Sequence, residues 1–189
     1  MRTLALALTP VLSLSISVPA RAAVDETNAH RLNALGLFLG TGSGYNLGGS
    51  ATRLHGIIML TRMLGEEGAA LSFDGPCPFS DVAAGKPSAY TGYAFAQGYP
   101  TGVSATTFHP GGALSFKHYV TFLLRALGYD DGAGDFTFAA SLDKAVEIGM
   151  MTRASADCIL QKQYALYRGD LVDLSVSALT TPLADGSAT

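Results

Sequence analysis

The sequence has no tryptophan, only two cysteines and few charged residues, which make up 14% of its 189 positions. The formal net charge is −3, with 12 lysines and arginines against 15 aspartates and glutamates. Nucleic-acid binding requires a basic face, so this balance argues against a DNA or RNA partner. The hydrophobic fraction of 48% is nonetheless typical of a globular protein. The length fits one domain.

Motifs of enzymes and metal proteins are also missing. Neither cysteine belongs to a C-x-x-C motif, and the four histidines show no H-E-x-x-H spacing. The glycine-rich stretch 40–50 lacks the Gly-Lys-Ser/Thr ending of a phosphate loop and does not match Gly-x-Ser-x-Gly around Ser43. The spacing of the acidic residues indicates no facing carboxylate pair of the glycosidase kind. We therefore expect no catalytic activity, no cofactor and no metal site.

A long apolar run occurs only at the N-terminus. Residues 1–22 combine an early arginine, Arg2, with an apolar stretch and the small residues Ala20 and Ala22. This order is typical of a secretory signal peptide, and the run is short for a spanning helix. We predict cleavage after Ala22, export of the mature chain and no membrane span within it.

Export would permit a disulfide between Cys77 and Cys158, because disulfides persist in oxidising compartments. The other interpretation is that both are unrelated small residues in loops. The sequence leaves both open.

The mature sequence contains an internal repeat. Two helical patterns, at 52–65 and 115–128, each begin with a hydroxyl residue suited to an N-cap and end at a glycine. They align without gaps at a spacing of about sixty residues. The aligned pairs are Thr52 with Ser115, His55 with His118, Arg62 with Arg125, and Gly65 with Gly128. Because His55 and His118 align, we expect both to cap a helix or line a groove.

A third, more divergent copy follows at 135–179. Its first helix is expected at 140–148, then a loop at 150–165, then a second helix at 171–179. Arg168 aligns with Arg53, and Asp170 takes the place of the two histidines, where a carboxylate can accept from first-turn amides.

The three copies therefore span about 25–65, 78–128 and 135–179. A first helix at 25–35 opens copy one, and a linker at 66–77 separates copies one and two. Residues 180–189 carry no periodicity and are predicted to form a flexible tail.

The second copy carries the most specific motifs. It opens with Phe-Ser-Asp-Val at 79–82, contains Thr-Thr-Phe-His-Pro at 106–110, and closes with Leu-Arg-Ala-Leu-Gly at 124–128. This arrangement resembles the S-layer homology (SLH) family. The resemblance implies a mainly α fold over 23–179, in which three helix–loop–helix repeats pack as a pseudo-threefold helical bundle with projecting loops.

The resemblance also implies a function. SLH domains are non-catalytic and hold proteins at the cell wall by binding an anionic, often pyruvylated, secondary cell-wall polysaccharide in grooves between repeats. Docking to other surface-layer proteins is the alternative. Family members commonly carry Thr-Arg-Ala-Glu where each second helix begins. This chain keeps Thr52-Arg53 and Arg168, but in copy two the cation is displaced by one residue to Lys117.

The chemistry of such binding is consistent with these residues. A guanidinium engages a carboxylate through two parallel hydrogen bonds, loop hydroxyls and amides donate to sugar oxygens, and an aromatic ring stacks on a sugar face. The predicted ligand contacts are Arg53, Arg168, Lys117, Thr41, Gly42, Thr101, Gly102 and Tyr45.

Overall fold

The computed structural model describes residues 25–161 and 165–187, and over these residues the chain is mainly α-helical, as predicted. The predicted signal peptide, 1–22, lies outside them. Within the described residues, no helix combines the length and apolar character that crossing a bilayer requires. The helices are α1 (Thr27–Ala34), α2 (Arg53–Met63), α3 (Glu67–Leu71), α4 (Lys86–Ala96), α5 (Phe116–Ala126), α6 (Ser141–Glu147), α7 (Arg153–Gln161) and α8 (Arg168–Leu179).

The second helices of copies one and two, α2 and α5, begin where the repeat alignment places them. Thr52 and Ser115 have extended backbones, and each hydroxyl accepts the N–H three residues later, at 3.2 Å in both cases. This contact satisfies a backbone donor that has no partner inside the helix. The predicted caps are confirmed.

The second helix of copy three, α8, begins at Arg168, three residues before its predicted start. The Oδ2 atom of Asp170 accepts the backbone N–H of Tyr167 at 2.9 Å, which fixes the turn that precedes the helix. The predicted contact between the Asp170 carboxylate and a backbone amide is therefore confirmed.

Three backbone hydrogen bonds join the copies in a closed ring at the points where the second helices begin. Ala51 N donates to Leu166 O at 2.8 Å, Leu166 N donates to Leu114 O at 2.8 Å, and Leu114 N donates to Ala51 O at 3.0 Å. These three residues directly precede Thr52, Ser115 and Tyr167, and each is 0% exposed. Each copy thus donates to one neighbour and accepts from the other, a cyclic arrangement of three equivalent segments.

Two helices lie where the sequence predicts irregular chain. Helix α3 lies within the linker, and its Glu67 accepts from Arg62 Nε at 2.8 Å. Helix α7 lies within the loop predicted at 150–165, and Thr152 caps it by accepting the N–H of Ser155 at 3.1 Å. Only Ala156 of α7 is buried, so the helix contributes little to the core.

Residues 180–187, the described part of the predicted flexible tail, contact the rest of the domain. Ala184 N donates to Leu127 O at 2.8 Å, Thr181 is buried, and Leu183 packs against the core. The segment makes these contacts through an irregular turn, in which Leu183 N donates to Ser187 O. Helical periodicity could not reveal such a contact.

Cys77 and Cys158 are both free thiols and do not form a disulfide with each other. Cys77 is half-buried beside Gly92 of α4, whereas Cys158 lies exposed on α7.

The hydrogen-bonded ring predicts where the fold is most sensitive to truncation. Leu114→Ala should lower the free energy of unfolding by about 2–5 kcal/mol, because it leaves a cavity beside the ring. Leu39→Ala, at a position that is 60% exposed, should change it by about 0.5 kcal/mol or less. Urea unfolding followed by circular dichroism measures both. Equal stability of the two variants would contradict this account of the core.

Candidate functional site

The Phe-Ser-Asp-Val motif holds the loop of copy two, residues 98–112, in place. The Asp81 carboxylate accepts the backbone N–H groups of Phe108 at 2.8 Å and His109 at 2.7 Å. These two hydrogen bonds, chiefly the one from Phe108, hold the pKa of the Asp81 carboxyl below its ordinary value. The Phe79 ring packs on the Phe108 ring with centroids 5.3 Å apart. The motif thus organises the loop of copy two.

Arg53 reaches from the start of α2 into this same loop. Its Nε donates to Phe108 O at 2.7 Å and its Nη2 donates to Thr101 O at 2.9 Å. The guanidinium carbon lies 4.6 Å from the Phe108 ring centroid, and the residue is 4% exposed. Burial lowers the pKa of Arg53, while the charge of Asp81 acts to raise it. Arg53 therefore connects copies one and two internally, and its expected role as a ligand contact stays a prediction.

Arg168 makes the corresponding contact between copies three and one. Its Nε donates to Tyr45 O at 3.1 Å, and its guanidinium carbon lies 4.9 Å from the Phe38 ring centroid. Burial lowers the pKa of Arg168, although the side chain keeps partial exposure. Tyr45 is itself packed, because its hydroxyl pairs with His30 Nδ1 at 3.0 Å and its ring contacts Phe38. The structure thus brings Arg168 and Tyr45 together through the hydrogen bond to the Tyr45 carbonyl.

The loop residues predicted as donors have different local roles. Thr41 is exposed, but its hydroxyl donates to Gly44 O at 2.7 Å within its own turn. At Gly42 an added Cβ would meet no atom within 4 Å, so this backbone is open to solvent. At Gly102 a Cβ would lie 2.5 Å from the Phe79 ring and would overlap the Ser104 carbonyl oxygen. Gly102 is therefore required by packing, and Thr101, which is exposed, accepts from Arg53 through its backbone carbonyl.

The junction between copies two and three is built differently. Phe116 takes the place of the arginine and is buried, and α7 takes the place of a glycine-rich loop. A groove of about 540 Å³ lies there, which we call the Lys117 groove. Its lining residues are Ala113, Ser115, Phe116, Lys117, His118, Phe138, Leu142, Ile159, Leu160 and Ala165.

The charged group among the described lining residues of the Lys117 groove is the Lys117 ammonium, and the exposed Phe138 ring lines the same groove. Lys117 Nζ donates to Ala139 O at 3.1 Å. The Phe138 ring packs on the His118 ring with centroids 4.9 Å apart, and Phe138 remains 44% exposed. Leu160, 52% exposed, lies in the same groove. The site therefore combines one ammonium group with apolar surface.

Two other grooves at the junctions are acidic. One of about 470 Å³ beside Tyr167 is lined by Asp25, Asp170 and Asp173. One of about 930 Å³ between α7 and α8 also includes Asp170 and Asp173. Carboxylates repel an anionic ligand, whereas none of the described residues that line the Lys117 groove is acidic. Among the grooves at the junctions, the charge distribution therefore favours the Lys117 groove for an anion.

No protein-family model matches the chain, and no curated protein matches it. The kinship with SLH proteins therefore stays a prediction.

The geometry of Arg53 predicts a loss of stability on its removal. Arg53→Ala should lower the free energy of unfolding by about 3 kcal/mol, because two loop carbonyls lose a charged donor inside the protein. Arg31→Ala removes an exposed arginine of α1 and should have an effect of about 0.5 kcal/mol or less. Denaturant unfolding of both variants is the measurement. If the Arg53→Ala protein were as stable as the Arg31→Ala protein, the hydrogen bonds of Arg53 to the loop carbonyls would not stabilise the fold.

The two loop glycines give a matched pair. Gly102→Ala should lower the free energy of unfolding by about 1–3 kcal/mol, since the added methyl group overlaps packed atoms. Gly42→Ala, in open space, should leave stability within about 0.5 kcal/mol. Thermal unfolding of both variants measures the difference. A neutral Gly102→Ala would show that the loop does not pack on Phe79 in solution.

Proposed function

We propose that the mature chain is a non-catalytic envelope module that binds an anionic cell-wall polysaccharide, with the Lys117 groove as its binding site. The observation that carries this proposal is the contrast between the junctions. At two of them an arginine binds carbonyls of the protein's own loops, and at the third the corresponding space is a groove with an ammonium group. Of the three predicted cations, Arg53, Arg168 and Lys117, we therefore propose Lys117 as the ligand contact.

The chemistry of the groove suits an acidic sugar. A lysine ammonium has three donors, and Lys117 uses one of them on Ala139 O, so it can also engage a sugar carboxylate. The exposed Phe138 ring offers a face on which the C–H side of a pyranose can stack. The groove volume of about 540 Å³ lies within the range of small-ligand sites. Binding that depends on one exposed charge should weaken as salt rises.

The alternative is a module that docks onto another surface-layer protein. The observation that favours it is the apolar surface that Phe138 and Leu160 expose within the Lys117 groove. Such surface is typical of protein contacts as well as sugar stacking. The two proposals differ in what should happen when the polysaccharide is removed.

The test is co-sedimentation of the mature protein with purified cell walls, before and after extraction of their polysaccharide. We expect retention on intact walls only, and Lys117→Ala should weaken binding by about tenfold, since a hydrogen bond to a charged group is lost. Lys86→Ala, which removes an exposed lysine of α4, is the matched control and should bind as the parent does.

The outcomes separate the alternatives. Retention that survives polysaccharide extraction would favour a protein partner. If the Lys117→Ala and Lys86→Ala variants lose retention on intact walls to the same extent, the Lys117 groove is excluded as the binding site. No retention on intact walls would reject the polysaccharide proposal.

A further inference from the structure

The caps of the three second helices differ in chemistry at one equivalent position. The third residue after the N-cap is His55 in α2, His118 in α5 and Asp170 in α8. All three lie in the first turn, four residues after a member of the hydrogen-bonded ring. Two caps therefore carry a group that titrates in mildly acidic solution, and the third carries one that does not.

We propose that the histidine caps make the fold acid-sensitive, so that the starts of α2 and α5 weaken as the pH falls from neutral to mildly acidic while the start of α8 does not. This inference concerns the fold and is independent of any ligand.

The cap of α2 requires an unprotonated His55 Nδ1. This nitrogen accepts the backbone N–H of Thr52 at 3.2 Å, while the Thr52 hydroxyl accepts the N–H of His55. An imidazole nitrogen accepts only without its proton, so the neutral ring must carry its hydrogen on Nε2. Protonation of Nδ1 would place two donors against each other and break one half of this reciprocal cap.

The cap of α5 is sensitive for a related reason. His118 Nδ1 lies 2.6 Å from Ser115 Oγ, and that oxygen accepts the N–H of His118. Here an imidazolium could still donate to the serine oxygen, so the contact itself survives protonation. The added charge, however, lies at the positive end of a helix and is partly covered by the Phe138 ring. We expect His118 to contribute less than His55.

Charges from the neighbouring copies oppose protonation of both rings. Arg168 of α8 acts on His55, and Arg53 of α2 acts on His118. Lys117 adds a further cation on α5, and the only charged residue on α4 is the cation Lys86. Acidic residues on the packed elements have partners elsewhere: Asp170 with Tyr167 N, Asp173 with Asn28, Glu67 with Arg62, Asp131 with Arg125, Asp143 with Arg153, and Glu147 with Lys144.

The sign of the effect follows from these surroundings. Burial is the larger cause, and the charge of the neighbouring arginine the smaller one, that lowers the pKa of His55 and of His118 below the ordinary value of about 6.5. The unfolded chain therefore binds protons more readily, so the two caps contribute fully above about pH 6.5. Their contribution is lost as the pH falls from there through the lower pKa of the folded protein. An aspartate, with an ordinary pKa of about 3.9, stays charged throughout this window.

The consequence is greatest at the start of α2, from which Arg53 enters the loop of copy two. Acid would therefore favour release of this loop before the rest of the fold unfolds.

The experiment is thermal unfolding of the mature protein at pH 7.5 and pH 5.0. The parent should lose about 2–4 °C in melting temperature through the His55 cap, the usual size for one cap in a domain of this length, and less through the His118 cap. The double variant His55→Asp, His118→Asp reproduces the cap of α8 and should lose clearly less. His109→Asn removes an exposed histidine of the 98–112 loop and should behave as the parent does.

A second measurement does not depend on the variants folding. Proton NMR titration of the four imidazoles in the parent should place His55 and His118 below 6.5, and the Thr52 amide should exchange faster at pH 5 after correction for intrinsic rates. The proposal is overturned if both rings titrate at or above 6.5. It is also overturned if the folded double variant loses as much melting temperature as the parent.

Discussion

The structure depends on the ring of three backbone hydrogen bonds among Ala51, Leu114 and Leu166. All three residues are fully buried, so no water can replace a lost partner, and breaking one bond would leave a buried donor and acceptor unsatisfied. Because each copy both donates and accepts, displacement of one segment disturbs both of its neighbours. The ring therefore fixes where all three second helices begin, and the caps and arginines lie at positions that it determines.

The three junctions around this ring use the available space differently. Arg53 and Arg168 occupy two of them and bind the carbonyls of neighbouring loops. At the third, Phe116 is buried as part of the core, and Lys117 at the next position extends toward Ala139 and leaves the groove open. The copy that departs from the repeat pattern at this position has thus lost a structural contact and gained accessible surface. This asymmetry is why the copy with the clearest motifs also contributes to the proposed site.

Features that depend on neighbouring residues could be predicted from the sequence, and those that depend on distant residues could not. The caps at Thr52 and Ser115 involve partners three residues away, and their spacing is visible in the aligned copies. The partners of Arg53 lie 48 and 55 residues away, so its buried position follows only from how copies pack. The contact of the C-terminal segment with Leu127 is likewise long-range. Helix α7 was not predicted because it buries almost no side chain. The Lys117 groove was not predicted because Phe138 reaches it only through packing.

The alignment of His55, His118 and Asp170 shows how one position can keep its geometry while its chemistry changes. Each lies in the first turn of a second helix, and the side chains of His55 and Asp170 both accept a backbone N–H three residues earlier. A carboxylate also gains from the positive end of the helix, whereas an imidazole is tolerated there only while neutral. Two of three caps therefore depend on the pH of the surroundings. The N-terminal sequence predicts an exported chain, and for such a chain the pH is set outside the cell. The strength of the α2 and α5 caps would then follow the pH of the environment, whereas the ring of backbone hydrogen bonds does not titrate.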